Sequence, residues 1–590
     1  MMLQALVEYY EDLERAGKIS APGWGPAKIS YALYLSPDGQ LEQVTCIKVA
    51  AEKGKKLVPQ VLTLPAAVKR SVGIASNFLW DNAAYILGIT AESDKAERAL
   101  RCREACAKLH LQLLEPVDSP AANALKDFFA TWNPNEAMEH PLLQDCLDDI
   151  LSGANMTFRF RGQYVSEDPE IRAAWQNYYD GSEDGTEMTC LVTGKKGTVA
   201  RLHPAIKGVQ GAQSSGASLV SFNAPSFCSY GKEQGFNAPT GEYAAFAYGA
   251  ALNYLLADWK HVVRIGDTTV LCWAKGGEPA YQGFLGVCLF GQETAYSQNE
   301  VQDMLKQLAE GNAVDFDETK LDPQKPFYIL GLAPNAARLS VRFFQRNSFG
   351  AILKNIQKHY RQTEIVRPSY DPFQTVPLWK LLSATVNQNS KDKKPSNVMS
   401  GEVLRAVLNG TRYPATLRNG VNLRIRAEHT VTRERAAIIK AYYLRNPCVE
   451  FEHPEEVFTV ALNRESNNLP YNLGRLFSVL EDIQAAANRG INSTIRDKYP
   501  GINSTIRDKY FNSACATPSV VFPTLLKLTQ KHLRKIGGGL AVVYSKQLQE
   551  IMDKLDENYP ARLTLPEQGA FQLGYYHQTS ARYQGNKEEN

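Results

Sequence analysis

Long apolar runs are missing from this 590-residue chain, and none approaches the about 18 consecutive apolar residues of a spanning helix. No membrane partner is therefore expected. The first residues, MMLQALVEYYED, place Glu8, Glu11 and Asp12 where a signal peptide would carry positive charge followed by an apolar core. That pattern predicts retention in the cytoplasm. Cysteine spacing is equally uninformative of metal: ten cysteines include no C-x-x-C pair, and Cys102 and Cys106 have no histidine at a zinc-finger distance. A structural zinc site needs four converging ligands, so neither a metal nor a cofactor is expected, and the cysteines read as free thiols in a reducing compartment.

Catalytic signatures are also lacking. Lys18, Lys55, Lys195 and Lys232 follow glycine without the hydroxyl residue of a phosphate loop, and no H-E-x-x-H, G-x-S-x-G or G-x-G-x-x-G occurs. Triads assemble across sequence, so a metal-dependent nuclease with a dispersed site stays as an alternative to a chain that is not an enzyme. A third reading is a purely structural scaffold of a ribonucleoprotein.

The most telling absence is of acid. From Met188 to Lys232 there is no Asp or Glu in 45 residues, while Lys195, Lys196, Arg201, Lys207 and Lys232 fall inside. A carboxylate beside phosphate would be repelled, so an acid-free cationic stretch suits a polyanion. The same stretch holds the small-residue run 207–218 (KGVQGAQSSGAS), whose backbone amides can approach a backbone closely and whose glutamines can address base edges. The alternative is a Gly/Ser loop packed inside the fold. Two further basic concentrations occur. One is Lys48, Lys53, Lys55, Lys56, Lys69 and Arg70; the other runs through Arg405, Arg412, Arg418, Arg424, Arg426, Arg433, Arg435, Lys440 and Arg445. Net charge is only +3, so acids must gather elsewhere and the molecule is polarised.

What is present is ordinary globular material, 44% hydrophobic and 22% charged. Cores stop growing at roughly 250–300 residues, so two or three domains are expected. Apolar spacing predicts helices over 2–16, 94–114, 119–131, 168–180, 473–487 and 523–535, the last starting at Pro523. A hairpin of 29–35 and 43–49 turns at Ser36-Pro37-Asp38-Gly39. In 157–161 (TFRFR) and 338–343 (RLSVRF) arginines alternate with apolar residues, giving half-buried strands with a cationic face that is either solvated or phosphate-contacting. The expected fold class is α+β: a mixed α/β region with antiparallel strands over 1–385, a polar linker at 386–400, a helical bundle over 401–578, and a disordered tail at 579–590. GINSTIRDKY occurs twice, at 490–499 and 501–510, joined by Pro500. Identity this complete implies either a recent tandem duplication or an artefact, since an old structural repeat would have diverged.

Segments spread along the chain carry a family resemblance: NFLWDNAAYILG at 77–88, HPAIKGVQG at 203–211, SFN at 221–223, YGKEQG at 230–235, NAARLSVRF at 335–343, LGRL at 473–476 and QGAFQLGYYHQ at 568–578. With these the sequence resembles the large subunit of the type I-C CRISPR Cascade effector complex, a prokaryotic antiviral assembly; that family is expected to carry GINSTIRDKY once. The resemblance implies a non-catalytic subunit that reads the protospacer-adjacent motif, helps open target double-stranded DNA, holds the displaced single strand and helps recruit the helicase–nuclease. Base pairing to a guide RNA reads the long sequence, and protein reads the flank and the backbone.

The implied partners are the guide RNA complex, the backbone and 5′-handle-binding Cascade subunits, and small helical subunits. A separate helical product of the C-terminal region would start at Met399, or near Val457 or Val460 at a non-Met codon. On charge and polarity, Gln210, Gln213, Ser214, Ser215 and Asn223 are expected at the flanking motif or strand-separating wedge, with Asn77 beside them and Trp80 more readily assigned to the core. Lys28, Lys55 and Lys56 are expected on duplex phosphates. Lys207, Lys232, Arg338 and Arg342 complete the DNA-binding set, and Arg418, Arg424, Arg426, Lys527, Lys531 and Arg534 would steer the displaced strand.

Overall fold

The computed structural model describes residues 1–50, 57–68, 73–181, 186–258, 262–488, 505–555 and 559–585. Helices make up about 51% and strands 16%, the α+β class expected from the patterning. Among the described residues no helix is long and apolar enough to cross a membrane. The chain divides into two compact units, Met1–Pro204 with Val220–Tyr254, and Ala205–Leu219 with Leu255–Asn590.

In the first unit the helix Met2–Arg15 buries Leu6, Val7, Tyr10 and Leu13, the face its spacing predicts. The expected hairpin forms as Tyr31–Leu35 against Leu41–Cys46, antiparallel. Tyr31–Leu35 also pairs in parallel with Met156–Phe160, so the sheet is mixed, not wholly antiparallel. A parallel pair needs a long crossover, and the helices Ala96–Leu114 and Pro120–Thr131 lie in that connection. The core gathers Phe78, Phe128, Phe158 and Trp175. Phe158 and Phe160 are buried as alternation requires, but Arg159 is not simply solvated: its Nη1 donates to Tyr34 Oη at 2.6 Å and its guanidinium lies 4.2 Å from the Tyr164 ring centre.

The second unit is built on a six-stranded sheet in the order Ala205–Ile206, Ala217–Ser218, Arg338–Ser348, Pro326–Asn335, Thr268–Ala274, Val262–Ile265. Its centre is the antiparallel pair Pro326–Asn335 and Arg338–Ser348. There the alternation breaks: Leu332 pairs with Val341 and Gly331 with Phe343, leaving Arg342 as the extra residue of a bulge. One hydrophobic core runs from Ile265 to Tyr576. The expected linker at 386–400 therefore lies inside this unit. The helix Asn397–Asn409 already starts there, because Met399, Val403, Leu404 and Val407 are buried beside the helix Phe349–Thr363.

The C-terminal helices follow the predicted periodicity with two corrections. The helix expected from Pro523 begins at Pro518 and contains Pro523; Pro518 occupies the first-turn position where a missing N–H costs nothing, and burial of Val521 and Phe522 holds the early turns. The tail expected to be disordered from 579 is helical to Gly585. Ser478 and Thr579 share a hydrogen bond of 2.8 Å, and Arg582 pairs with Asp482. This helix crosses Leu469–Ala487 with unusual closeness. A Cβ on Gly474 would sit 1.9 Å from the Phe571 carbonyl oxygen, and one on Gly574 would sit 2.1 Å from that of Tyr471.

Of the duplicated decapeptide, the first copy lies outside the described residues. The second starts the helix Ile506–Ala516: Thr505 Oγ1 accepts from Asp508 N at 3.1 Å, and Ile506 N donates to Gln484 Oε1 at 2.8 Å.

Candidate nucleic-acid interface

Within the second unit the run 207–216 closes over one edge of the six-stranded sheet, between its strands Ala205–Ile206 and Ala217–Ser218. Val209 is buried beneath it, and Gln210 N donates to Thr269 Oγ1 at 3.1 Å. Gly211 adopts φ 77° with its α-carbon so near Pro334 that a Cβ would lie 3.2 Å from Cγ; both backbone angle and space call for glycine. The underside is thus fixed, while Lys207, Gln210, Gln213, Ser214 and Ser215 face solvent. The segment thus has an anchored base and a polar exposed tip, and it is not packed wholly inside the fold. Ser218 N donates to Ala337 O at 3.1 Å, and Ser218 pairs with Arg338, which brings that arginine to the same sheet edge. Arg342 is committed to Asp267 at 2.8 Å, which reduces the charge it can offer a phosphate.

In the first unit a second cationic element forms from the antiparallel pair Glu187–Thr189 and Lys196–Thr198. Residues 199–201 and the loop 224–241 fasten onto it through backbone bonds: Leu191 N to Pro239 O at 2.8 Å, Ala200 N to Thr240 O at 2.9 Å and Gly235 N to Arg201 O at 3.0 Å. The turn is a knuckle in which Gly194 N donates to Cys190 O at 2.8 Å and Thr193 N to Cys190 Sγ at 3.4 Å. Burial raises the Cys190 thiol, yet the hydrogen bonds from Thr193 and Gly241 outweigh it and hold the thiol below its ordinary value. Lys195, Lys196, Arg201, Asn223 and Lys232 are all exposed in this unit. Asn223 and Lys232 thus share a unit with Lys195, Lys196 and Arg201, three cations that residue patterning places in the acid-free stretch without singling them out.

Elsewhere in the first unit, Lys28 points outward from Trp24–Ile29, between buried Ala27 and Ile29. Asn77, expected at an interface, is buried instead. Its Oδ1 accepts from Val68 N at 2.9 Å and its own N–H donates to Asp81 Oδ2 at 3.0 Å, so the side chain shapes a turn. Trp80 is in the core, donating to Pro65 O at 2.8 Å. Lys48 pairs with Asp149 at 2.5 Å. Lys55 and Lys56 lie outside the described residues.

The arginine-rich stretch of the second unit splits in two. Arg433, Arg435, Lys440 and Arg445 are buried. Arg433 pairs with Asp371 at 2.8 Å and donates to the carbonyls of Phe373 and Gln374; Lys440 Nζ donates to those of Arg361 at 3.2 Å and Gln362 at 3.0 Å. Burial pushes the Lys440 ammonium down to about 8. These cations tie helices together and are withdrawn from any nucleic-acid track. On Ala415–Glu428, Arg418 bonds Asn419 at 2.9 Å beside the Tyr442 ring, Arg424 pairs with Glu428 at 3.5 Å, and Arg426 donates to Gln568 at 3.1 Å. All three are engaged internally, so they contribute less free charge than their number suggests. Lys527, Lys531 and Arg534 do form an exposed stripe on Pro518–Ile536 at i, i+4, i+7.

Three histidines are buried neutral. His110 accepts from Leu79 N at 2.8 Å, His359 bonds Tyr413 Oη at 2.5 Å and His577 bonds Tyr471 Oη at 2.9 Å; burial drives each down to about 3. Such imidazoles are structural. Among the described residues no three His, Cys, Asp or Glu side chains converge as a metal would require.

The second unit thus exposes a polar loop with Lys207 at one sheet edge and a cationic stripe on the helix Pro518–Ile536. The chain belongs to the family described as CRISPR-associated protein (Cas_Csd1), whose model matches residues 6–583. No match to a curated protein was found.

Proposed function

We propose that this chain is the non-catalytic large subunit of a type I-C Cascade complex, working in the prokaryotic cytoplasm. In this role it recognises the protospacer-adjacent motif, helps open target duplex, stabilises the displaced strand and helps recruit the helicase–nuclease, alongside guide RNA, backbone and 5′-handle-binding subunits and small helical subunits. One observation carries the reading: the acid-free stretch 188–232 folds into two surface elements, one in each unit, that expose its cations and glutamines instead of burying them. Family membership supplies the context.

Gln210, Gln213, Ser214 and Ser215 present donors and acceptors suited to base edges, from a loop whose underside is fixed. Lys207, Arg338, Lys28 and Lys232 would neutralise phosphates, and each phosphate so neutralised steepens the salt dependence of binding. The stripe Lys527, Lys531 and Arg534 would follow the displaced strand by charge alone. The deciding experiment measures target affinity and flank preference for the assembled complex carrying Gln210→Ala, Gln213→Ala and Ser214→Ala together. Loss of preference at preserved assembly is expected; an unchanged flank preference sinks the site assignment. DNA cleavage that survives stringent purification of the chain with divalent metal would overturn the non-catalytic role.

A further inference from the structure

The loop 224–241 of the first unit holds an aromatic side chain in a way the fold itself does not need. Tyr230 is 99% exposed, so its ring contributes no packing. Its backbone sits at φ 53°, followed by Gly231 at 68°, a left-handed conformation that glycine or asparagine tolerates and a bulky aromatic does not favour. The local backbone would be better served by either of those residues.

The loop is nevertheless firmly braced. Asn237 Oδ1 accepts from Ser229 N at 2.9 Å, while its Nδ2 donates to Lys232 O at 3.1 Å and Gln234 O at 3.0 Å. One buttressing amide thus closes both sides of the tyrosine. Arg201 Nη1 bonds Gln234 Oε1 at 2.9 Å, and a Cβ on Gly235 would fall 2.1 Å from the Ala200 carbonyl oxygen, so the loop is pressed onto the cationic element beside it. A strained, braced backbone that displays a ring to solvent is preorganised to contact something else.

The surroundings indicate what. Lys195, Lys196, Arg201 and Lys232 are exposed on the same element, against the carboxylates Glu187, Glu233 and Glu242. A flat neutral ring among cations suits a nucleobase whose phosphates lie to either side, and an unpaired base is needed because a stacked duplex hides its faces. We propose that Tyr230 is a stacking platform for an unpaired base of bound DNA, and that Asn237 is the positioning residue that presents it. This rests on the DNA-binding reading given above and names the residue and the strand state that it engages.

The test uses the chain in its assembled complex, with a target duplex carrying 2-aminopurine at successive positions of the opened strands. Wild type should perturb the fluorescence of one position by stacking. Tyr230→Ala should abolish that signal and weaken binding of a single-stranded oligonucleotide about tenfold, while Tyr230→Phe and Tyr230→Trp retain both. Asn237→Ala should blur the signal over neighbouring positions. Circular dichroism checks that the variants fold. If Tyr230→Ala leaves the fluorescence profile and the affinity unchanged while salt-dependent duplex binding persists, the stacking role is wrong and the DNA-binding reading stands. If the variant instead disrupts only assembly with protein subunits, the ring serves a protein contact and the proposal is overturned. If wild type binds no DNA, both fall.

Discussion

Two helices of the second unit, Arg433–Arg445 and Pro518–Ile536, carry four exposed or buried cations apiece and use them in opposite ways. On the first, Arg433, Arg435, Lys440 and Arg445 point around the whole circumference and are buried. On the second, Lys527, Lys531, Arg534 and Lys535 gather on one side and are exposed. At about 100° per residue, spacings of two, five and five scatter cations in all directions, while four, three and one collect them into a stripe. A helix with cations all round must either lie in water or find acceptors on every side. Arg433–Arg445 finds them in Asp371, Glu428 and a series of backbone carbonyls at the ends of other segments. The number of charges is therefore a poor guide to a nucleic-acid track; their angular spread separates cement from surface.

The largest effect on the buried side comes from titration. His110, His359 and His577 fall to about 3 in the fold, against about 6.5 in the unfolded chain. The unfolded state binds more protons between those values, so their contribution is full above pH 6.5 and is lost as pH falls toward 3. Each should cost about 1.4 kcal/mol per pH unit in that window. Denaturant unfolding at pH 7.0, 6.0 and 5.0 checks this, and a flat profile would show the imidazoles are not buried neutral.

Next comes the ion pair itself. Arg433→Ala removes the partner of Asp371 Oδ2, leaving that carboxylate to Lys380 at 3.4 Å and the Phe373 N–H, and strands two carbonyls. It should destabilise the chain by about 3 kcal/mol, whereas Lys531→Ala should stay within about 0.5 kcal/mol. Equal losses in thermal unfolding would erase the distinction between the two helices. A smaller loss is expected for Lys440→Met. Removing a buried ammonium relieves desolvation but strips the Arg361 and Gln362 carbonyls of a donor, for a net of about 1–2 kcal/mol. This loss should grow above pH 8, because the folded chain releases the Lys440 proton there while the unfolded chain holds it to about 10.4, a gain in stability that the Met variant lacks. The smallest stability effect, and the sharpest functional one, belongs to the stripe. Lys527→Gln, Lys531→Gln and Arg534→Gln together should leave the melting temperature in place while reducing the slope of log affinity against log salt by about 0.7 for each cation removed from a single strand. An unaltered slope would remove this helix from the path.

Elements with local causes were legible in the residues. The helix faces at 2–15, 96–114 and 120–131 follow from apolar spacing, and the hairpin turning at Gly39 follows from its Pro-Asp-Gly signal. The exposed glutamines of 207–216 follow from polarity and small residues. What stayed hidden depends on partners far along the chain. Asn77 reads as an interface amide until its Oδ1 is seen to accept from Val68 N inside the fold. The division of the chain could not be placed, because the strands Ala205–Ile206 and Ala217–Ser218 join a sheet otherwise drawn from residues beyond 261, a pairing without local signal. Tyr230 is similar: tyrosine before glycine in an acid-free stretch is suggestive, but only the backbone angle and the Asn237 brace make it conspicuous.

The duplicated decapeptide has a consequence for how this chain has changed length. Since Gln484 already reaches Ile506, the helices on either side of the repeat begin and end beside one another, and a handful of residues suffices to join them. Added length between two such ends costs little, because closure entropy grows only with the logarithm of length, by about 0.6 kcal/mol per doubling. Excising residues 490–500 restores a single GINSTIRDKY followed by Phe511, with every helical neighbour intact. Deletion of residues 490–500 should therefore cost little stability and leave the Gln484–Ile506 hydrogen bond in place.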